Sequence, residues 1–295
     1  MAIATTSPST LQPLFATTHT ALHLSRTHTR ESCFLHNYPS EGRPARTTTS
    51  VRIKRPAKQK QKQKRKRHVG GQFRPALIVV DFQEDFCPPH GSLAVANGRD
   101  IHPVVNSLLR LPFVTKIATK DWHPREHVSF ASNHEGKQPF VDAIDIVNPR
   151  NSAETFHTRL WPVHCVQGTP GAALVPELDV SAVDTIIEKG QNSAVEMYSA
   201  FYDPFQSPRV LDSGLAATLK DKGVTDVYVV GLAGDYCVNC TAADANKEGF
   251  RTFIVEEGTR PVDAERWIKC KGELEASGVE IVSVEGPEVR RVGTA

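Results

Sequence analysis

The stretch 227-VYVVGLAGDYC-237 joins an apolar, β-branched run to a polar segment through two glycines. Its first half predicts a short strand that is buried on both faces. The glycine-containing segment 231–234 ends this strand, and Asp235 then stands where a helix N-cap is expected. We predict a helix over 236–248, with Gly249 as its C-terminal stop.

The stretch ends on Cys237, which this pattern places in the first turn of a helix at the carboxyl end of a strand. Unpaired N–H groups and the positive end of the helix dipole stabilise an anion there. We therefore expect the Cys237 thiol to have a lowered pKa and to react as a thiolate. A cysteine is also a small hydrophobe that proteins bury, so the stretch by itself leaves a structural role open. Cys240 adds a C-x-x-C spacing, but no second pair stands at zinc spacing.

Apolar strands alternate with amphipathic helices in the rest of the chain, which is typical of βαβ units and a parallel sheet covered on both faces. The predicted strands are 76–80, 114–119, 185–188, 226–230, 251–256 and 280–284. The predicted helices are 100–111, 210–222, 236–248 and 262–276, and the segment from 125 to about 180 is predicted to be irregular. We therefore predict an α/β fold, a three-layer Rossmann-like arrangement around a mainly parallel six-stranded sheet.

Charge is divided unevenly along the chain. Residues 1–73 hold 14 Lys and Arg against two acidic residues, a net +12, whereas the remainder carries −10. This arm has no sustained hydrophobic period and contains a Lys/Gln/Arg tract, so it cannot bury enough apolar surface to offset its chain entropy. We predict a disordered basic N-terminal extension over 1–73 and a folded domain over 74–295.

Three interpretations of the arm stay open. The tract at 64–67 would suit a nuclear-localisation or nucleic-acid patch, and the acid-free, Ser/Thr-rich start resembles a mitochondrial transit peptide. The third is a solvated tail or a misplaced start of the reading frame. We expect a cytoplasmic protein with nuclear access, and a mitochondrial address stays open. No run of about 18 apolar residues is present, so we expect no membrane partner. Nucleic acid is not the expected main ligand, because no base-reading motif accompanies the tract.

Four chemically active side chains each come just after a predicted strand: Asp81, Asp121, Lys189 and Cys237. Ligands of open α/β sheets bind beyond the carboxyl ends of the strands, so we expect these four to converge on one crevice. A thiol nucleophile needs a base to take its proton and an acid to protonate the leaving group, and Asp81 can serve as both. Lys189 would hold Asp81 and the thiolate ionised. Asp81 alone could be a helix cap and Lys189 an ordinary loop lysine, so the combination carries the hypothesis.

A second polar cluster contains Asp121, His123, His127 and His164. Asp121 and His123 form a D-x-H pair on a turn, and His164 comes from a distant loop. Two imidazoles and one carboxylate with open coordination positions suit Zn, Fe or Mn. The chain has 12 histidines, and a single one is more commonly a surface or hydrogen-bonded residue than a ligand.

Six motifs in order resemble the nicotinamidases of the isochorismatase-like hydrolase superfamily. They are 78-IVVDFQEDFC-87, 121-DWHP-124, 161-WPVHC-165, 189-KG-190, 198-YSAF-201 and 231-GLAGDYCV-238. The resemblance covers roughly 73–263. Its D-x-H pair and Trp-His loop are what separate nicotinamidases from relatives without a metal. The arm over 1–73 has no counterpart in the family core, and 142–150 resembles a family-variable loop.

The resemblance implies roles for three sets of side chains. The catalytic triad would be Asp81, Lys189 and Cys237. The ligands of one divalent metal, with zinc preferred and iron or manganese as alternatives, would be Asp121, His123 and His164. The pocket around the pyridine ring would be lined by Phe86, Trp161 and Tyr198.

The resemblance also implies an oxyanion hole. It would consist of the backbone N–H groups of Ala233 and Cys237, beside a cis peptide bond between Leu232 and Ala233. His127 stands at a spacing that does not match the extra ligand of some relatives, so we leave it out of the metal site.

The implied activity is hydrolysis of nicotinamide to nicotinate and ammonia through a cysteine thioester, in NAD salvage. The alternative is a related amidase that acts on another small amide, ureido, carbamoyl or vinyl-ether substrate, since such relatives share the nucleophile frame. A non-catalytic metal-binding scaffold is a further alternative, against which the complete set of Asp81, Lys189 and Cys237 argues. The implied partner is the small-molecule substrate, and a homo-oligomer stays an open alternative.

Overall fold

The computed structural model of the chain describes residues 72–294. Nearly all of the predicted basic arm lies outside this range, so its disorder and the boundary between 73 and 74 stay predictions. Among the described residues, no helix has both the length and the apolar character that crossing a membrane requires.

Strands and helices alternate along the described chain, as the sequence predicts, except over 115–189, where four strands follow one another without an α-helix. The strands are β1 Pro75–Val80, β2 Thr115–Asp121, β3 Ala143–Asn148, β4 Asn151–Arg159, β5 Thr185–Lys189, β6 Asp226–Leu232, β7 Arg251–Arg260 and β8 Glu280–Val282. The α-helices are α1 His102–Leu109, α2 Leu215–Asp221, α3 Asn239–Lys247, α4 Ala264–Ser277 and α5 Pro287–Val292.

Six of the strands form one sheet in the order β5-β2-β1-β6-β7-β8, and every neighbouring pair is parallel. Every residue of the central strands β1 and β6 is buried, so the middle of the sheet is covered on both faces. This explains why both strands are continuous apolar runs instead of alternating ones. The predicted α/β fold with a parallel six-stranded sheet is confirmed, and the carboxyl ends of β1, β2, β5 and β6 lie side by side.

The prediction that the segment from 125 to about 180 is irregular is wrong for its middle part. Strands β3 and β4 pair antiparallel as a separate hairpin. Ile146 and Phe156 face each other and are buried, whereas Val147 is 49% exposed. In β3 the polar Asn148 is buried beside this exposed valine, and in β4 the buried positions are Phe156 and the polar Thr158, so neither strand shows a clear alternating pattern. The segment 142–150, interpreted from the resemblance as a loop, contains β3.

The junction between β6 and α3 also differs from its prediction. A wide, π-type turn spans Gly234–Val238, and the regular α-helix begins only at Asn239. Asp235 is not an N-cap, because its carboxylate instead accepts hydrogen bonds from the N–H groups of Val262 (2.8 Å) and Asp263 (3.1 Å). Asp235 thus ties the turn before α3 to the start of α4.

The helix predicted over 210–222 begins later than expected, at Leu215. The Asp203 carboxylate accepts hydrogen bonds from the N–H groups of Val210 and Leu211. Gly214 then takes a positive φ of 75° immediately before the helix. Side-chain hydrogen bonds of this kind hold the backbone in a loop conformation in place of the first helical turn.

Candidate active site

The four strand-end residues converge, as the topology predicts. The Lys189 ammonium lies at the centre, with its Nζ atom 2.9 Å from Asp81 Oδ2 and 2.5 Å from Asp121 Oδ1. The same Nζ atom is 3.6 Å from Cys237 Sγ and donates to the carbonyl oxygen of Met197 at 3.2 Å. All four side chains are buried. One cation therefore links a thiol to two carboxylates from neighbouring strands.

Burial and mutual charge shift the pKa values of Asp81, Cys237 and Lys189. It raises the pKa of Asp81 to about 6, although the Lys189 ammonium opposes the shift. Burial also raises the pKa of the Cys237 thiol well above its ordinary value, again with Lys189 in opposition. Although burial opposes the charge of Lys189, its pKa is raised because Asp121 and Asp81 flank the ammonium.

The expectation of a lowered Cys237 pKa is therefore wrong. The regular helix begins after Cys237, and the loss of solvent around Sγ outweighs the attraction of Lys189. The thiol is protonated in this state, so a base must act before it can react as a nucleophile. Asp81 contributes an oxygen that lies within 4.8 Å of Cys237 Sγ.

A set of three donors lies on the other side of Lys189. Ligand atoms of Asp121, His123 and His164 all lie within 4.8 Å of one another. The Nε2 atoms of His123 and His164 are 3.5 Å and 3.9 Å from Asp121 Oδ2. Although burial opposes ionisation, Lys189 and His123 hold the pKa of Asp121 well below its usual range, so this carboxylate is charged.

The outer nitrogens of both imidazoles are fixed by backbone carbonyls. His123 Nδ1 lies 2.9 Å from the oxygen of Gly190, and His164 Nδ1 lies 2.8 Å from the oxygen of Pro162. A carbonyl can only accept, so each Nδ1 carries a proton, and each Nε2 faces Asp121 as the atom that would bind a metal once it is deprotonated. This is the pattern of metal-binding histidines, whose second nitrogen is held by an outer partner. The donor set therefore fits a divalent metal such as zinc.

Gly190 makes room for one of these rings. A Cβ atom at this position would lie 2.4 Å from His123 Cε1, and the backbone has a φ of +69°. Both observations require glycine directly after β5, where the motif 189-KG-190 provides it.

His127 lies beside the donor set and has other partners. Its ring stacks on that of His123 with centroids 4.0 Å apart. Its Nδ1 and Nε2 atoms already bond the Ser129 hydroxyl (2.8 Å) and the Val195 carbonyl (3.2 Å). Burial lowers the pKa of His127 to about 2, so it packs as a neutral ring.

The three predicted pocket residues are buried aromatic side chains of the same region. Trp161 Nε1 donates to the Tyr198 hydroxyl at 2.8 Å, and the same hydroxyl bonds Thr158 Oγ1 at 2.8 Å. Phe86 lies against His164 with ring centroids 5.5 Å apart. The aromatic residues thus adjoin the metal-donor set on one side.

The predicted oxyanion residues occupy the turn that leads to Cys237. The peptide bond between Leu232 and Ala233 is cis, as the resemblance implies. The Ala233 carbonyl accepts hydrogen bonds from the N–H groups of Tyr236 and Val238, each at 3.1 Å. Ala233 and Cys237 are both 5% exposed, so their backbone groups lie in a largely solvent-free place.

Sequence reasoning did not assign two further residues beside the site. The ring of Tyr236 contacts both Trp161 (4.7 Å between centroids) and Tyr198 (5.5 Å), so it extends the aromatic wall. Glu196 is buried near His123, and burial raises its pKa. Both residues stand within three positions of an assigned one, which was the only available signal. Proximity in sequence does not show which way a side chain points.

The sequence over residues 75–286 matches the isochorismatase domain family. The chain is 43% identical to a nicotinamidase from Acinetobacter baylyi over 210 residues, which are 70% of this chain and 92% of the relative. It also resembles the crystal structure of the yeast nicotinamidase bound to the inhibitor nicotinaldehyde, with 34% identity and a TM-score of 0.66 over 71% of this chain and 99% of that chain.

A third relative is the pyrazinamidase of Pyrococcus horikoshii, whose structure was solved in complex with zinc. It is 35% identical, with a TM-score of 0.55 over 71% of this chain and 98% of the relative. These matches extend over nearly the whole of each relative, and the family match over 75–286 spans every residue of the site described above. The chain therefore belongs to the isochorismatase family of hydrolases and is similar to its nicotinamidases.

Proposed function

We propose that this protein is a nicotinamidase that hydrolyses nicotinamide to nicotinate and ammonia. The observation that carries the proposal is the position of Lys189, whose ammonium joins the Asp81 and Cys237 pair to the Asp121 side of the metal-donor set. A nucleophile for a carboxamide and a donor set for a metal are thereby parts of one site. The similarity to nicotinamidases from bacteria and yeast supports the same substrate.

The pyridine ring would occupy the aromatic pocket. Phe86, Trp161 and Tyr198 provide flat apolar surfaces, and the Trp161–Tyr198 hydrogen bond keeps two of these rings in fixed positions. A divalent metal held by Asp121, His123 and His164, with zinc preferred over iron or manganese, would supply a Lewis-acid partner for the pyridine nitrogen. The ring would thus be oriented with its carboxamide towards Cys237.

The first half of the reaction forms a thioester. Asp81 takes the proton of the Cys237 thiol, which burial keeps protonated at rest. The Sγ atom attacks the carboxamide carbon, and the developing oxyanion is stabilised by the backbone N–H groups of Ala233 and Cys237. Each such donor contributes roughly 3–4 kcal/mol to the barrier in comparable sites. Asp81 then gives its proton to the departing nitrogen, the C–N bond breaks, and ammonia leaves.

The second half hydrolyses the thioester. Asp81, now ionised again, takes a proton from a water molecule that attacks the acyl carbon. The C–S bond breaks, Asp81 gives its proton to the Cys237 sulfur, and the carboxylic acid product loses its remaining proton to solvent and leaves as nicotinate. Lys189 remains charged throughout and balances whichever of its neighbours is negative at each stage.

Nicotinate made in this way would feed NAD salvage. The proposed compartment is the cytoplasm with nuclear access, in line with the basic tract of the arm. The domain that carries the chemistry would be 74–295, and the arm would take no part in catalysis.

The second candidate is an amidase of the same family with a ureido, carbamoyl or other small amide substrate. The nucleophile group alone would serve either activity. The buried Asp121, His123 and His164 set favours nicotinamide, because a ureido or carbamoyl substrate has no pyridine nitrogen for a metal to hold.

The proposal is tested by ammonia and nicotinate release from nicotinamide, measured on the full chain and on Cys237→Ala. We expect turnover in the wild type and none in the variant. Cys240→Ala is the matched control, because Cys240 is a free thiol three residues further along and has no role in the mechanism. Turnover in Cys237→Ala would contradict the mechanism, whereas turnover of carbamoyl compounds but not of nicotinamide would favour the second candidate.

A further inference from the structure

Two buried polar side chains connect the ends of β1 and β2, and the mechanism above does not use either. The regular pairing between these strands extends from Ala76 and Thr115 to Val79 and Ala118. Beyond it each strand leads to a carboxylate of the site, Asp81 on one and Asp121 on the other. The Lys189 ammonium contacts both carboxylates, so their separation decides whether one cation can serve both.

Gln83, two residues after Asp81, holds the backbone of Asp121. Its Oε1 atom accepts a hydrogen bond from the Asp121 N–H at 2.8 Å, and its Nε2 atom donates to the Asp121 carbonyl at 2.8 Å. The second N–H of the same amide donates to the carbonyl of Ala172 at 2.9 Å. The side chain is fully buried. It therefore bonds Asp121 as the peptide group of an adjacent strand would.

Thr119, two residues before Asp121, forms hydrogen bonds to Asp81 on the other strand. Its hydroxyl donates to Asp81 Oδ1 at 2.5 Å and accepts a hydrogen bond from the Asp81 N–H at 3.1 Å. Asp81 has a φ of 46°, in the left-handed region that residues other than glycine seldom adopt. One hydroxyl thus fixes both the backbone of Asp81 and the direction of its carboxylate.

We propose that Gln83 and Thr119 form a reciprocal clasp that positions Asp81 and Asp121 around the Lys189 ammonium. The inference rests on the proposed function, because it assigns both residues to the support of that mechanism. They are positioning residues with different targets. Gln83 acts through Asp121 on the metal-donor set, and Thr119 acts through Asp81 on the thiol.

The Gln83 half is tested by the affinity of the full chain for zinc, measured by competition with a chromogenic chelator. Gln83→Met keeps the length of the side chain and removes its three hydrogen bonds. We expect the Kd for zinc to rise about 10- to 100-fold, as happens when outer partners of metal ligands are lost. Gln167→Met is the matched control, because the exposed Gln167 side chain donates to the carbonyl of Trp122, which is not a residue of the metal-donor set. Its zinc affinity should stay within twofold of the wild type.

The role of Thr119 is tested by measuring kcat for nicotinamide and the Kd for zinc on the same variants. Thr119→Val should lower kcat for nicotinamide at least tenfold and leave the Kd for zinc unchanged, and Thr119→Ser should restore most of kcat. Thr115→Val is the matched control. Thr115 is fully buried on the same strand, and its hydroxyl has no hydrogen-bond partner within residues 72–294, so its loss should leave kcat unchanged.

Thermal melting establishes first that each variant is folded. If Gln83→Met does not fold, Gln83→Asn replaces it, since the shorter amide cannot reach the same partners. Zinc affinity that stays at the wild-type value in a folded Gln83 variant overturns the clasp. Equal losses of kcat in Thr119→Val and Thr115→Val also overturn it. If the wild type binds zinc but leaves nicotinamide intact, the proposed function fails, and the zinc measurement still decides the clasp. A wild type that binds no zinc overturns the Gln83 half.

Discussion

Lys189 is both a structural and a chemical residue, because its ammonium compensates two buried carboxylates at once. Its Nζ atom lies within 2.9 Å of Asp81 Oδ2 and 2.5 Å of Asp121 Oδ1, and its side chain is fully buried. A buried charge that loses its partner costs much more than a surface pair ever contributes. Changes at Lys189 should therefore be visible in stability as well as in turnover.

We expect Lys189→Met to lower the free energy of unfolding by about 3–5 kcal/mol, the usual cost of a broken buried ion pair, and to abolish turnover. Urea unfolding and ammonia release measure the two effects. Lys120→Met is the control, because Lys120 pairs with the partly exposed Glu188 at 3.3 Å and lies over the Trp122 ring at 3.7 Å, two contacts worth about 1 kcal/mol or less each. Equal stability of the two variants would contradict the role given to Lys189.

The pH dependence of kcat/KM should reflect Asp81, whose pKa burial raises to about 6. The free enzyme needs Asp81 ionised to take the Cys237 proton, so activity should fall as pH decreases through about 6 and be level above it. Zinc-saturated protein, with folding followed by circular dichroism, excludes metal loss and unfolding as causes. A profile that stays flat to about pH 4.5 would show that Asp81 is not the base.

Among the secondary-structure elements, the buried central strands could be predicted, whereas the β3–β4 hairpin and the first residue of α3 could not. The continuous apolar runs of β1 and β6 predict buried parallel strands, and the residues that follow them predict a shared crevice. The hairpin of β3 and β4 was missed because its buried positions include the polar Asn148 and Thr158, whereas the apolar Val147 is exposed. The start of α3 was predicted too early, at 236 instead of Asn239. Asp235 accepts a hydrogen bond from Val262 near the start of α4, and no local pattern indicates a partner 27 residues away.

The end of β5 shows how closely backbone and metal site are matched. Gly190→Ala would place a Cβ atom 2.4 Å from the His123 ring, so we expect a 10- to 100-fold loss of zinc affinity. Gly136→Ala is the matched control, since Gly136 has almost the same φ, +70°, with nothing within 4 Å of its Cβ position. Both variants carry the backbone cost of about 1–2 kcal/mol, so thermal melting should shift in both. Zinc affinity should fall only in Gly190→Ala, and equal affinities would contradict the account.

The functional side chains could be predicted because strand ends and motif spacing identify them, but their surroundings could not. Gln83 and Thr119 act across neighbouring strands, on residues 38 positions away in the chain. The pKa of Cys237 was predicted in the wrong direction because burial, which outweighs the positive charge nearby, cannot be judged from eleven residues of sequence.

At the scale of the whole molecule, charge and chemistry occupy different parts of the chain. The arm over 1–73 carries +12 and the remainder −10, while every residue of the proposed mechanism lies between 81 and 237. The chain matches 92% of the Acinetobacter baylyi nicotinamidase with only 70% of its own length. We therefore expect the arm to be dispensable for catalysis.

Nicotinamide turnover with and without a chelator is the measurement that bears most directly on the nicotinamidase proposal. It would compare the full chain with the domain over 74–295. We expect both proteins to release ammonia and nicotinate at similar rates, to stop when a chelator strips the metal, and to recover when zinc is restored. A folded, zinc-loaded protein that leaves nicotinamide intact, or one whose turnover survives complete metal removal, would contradict the account.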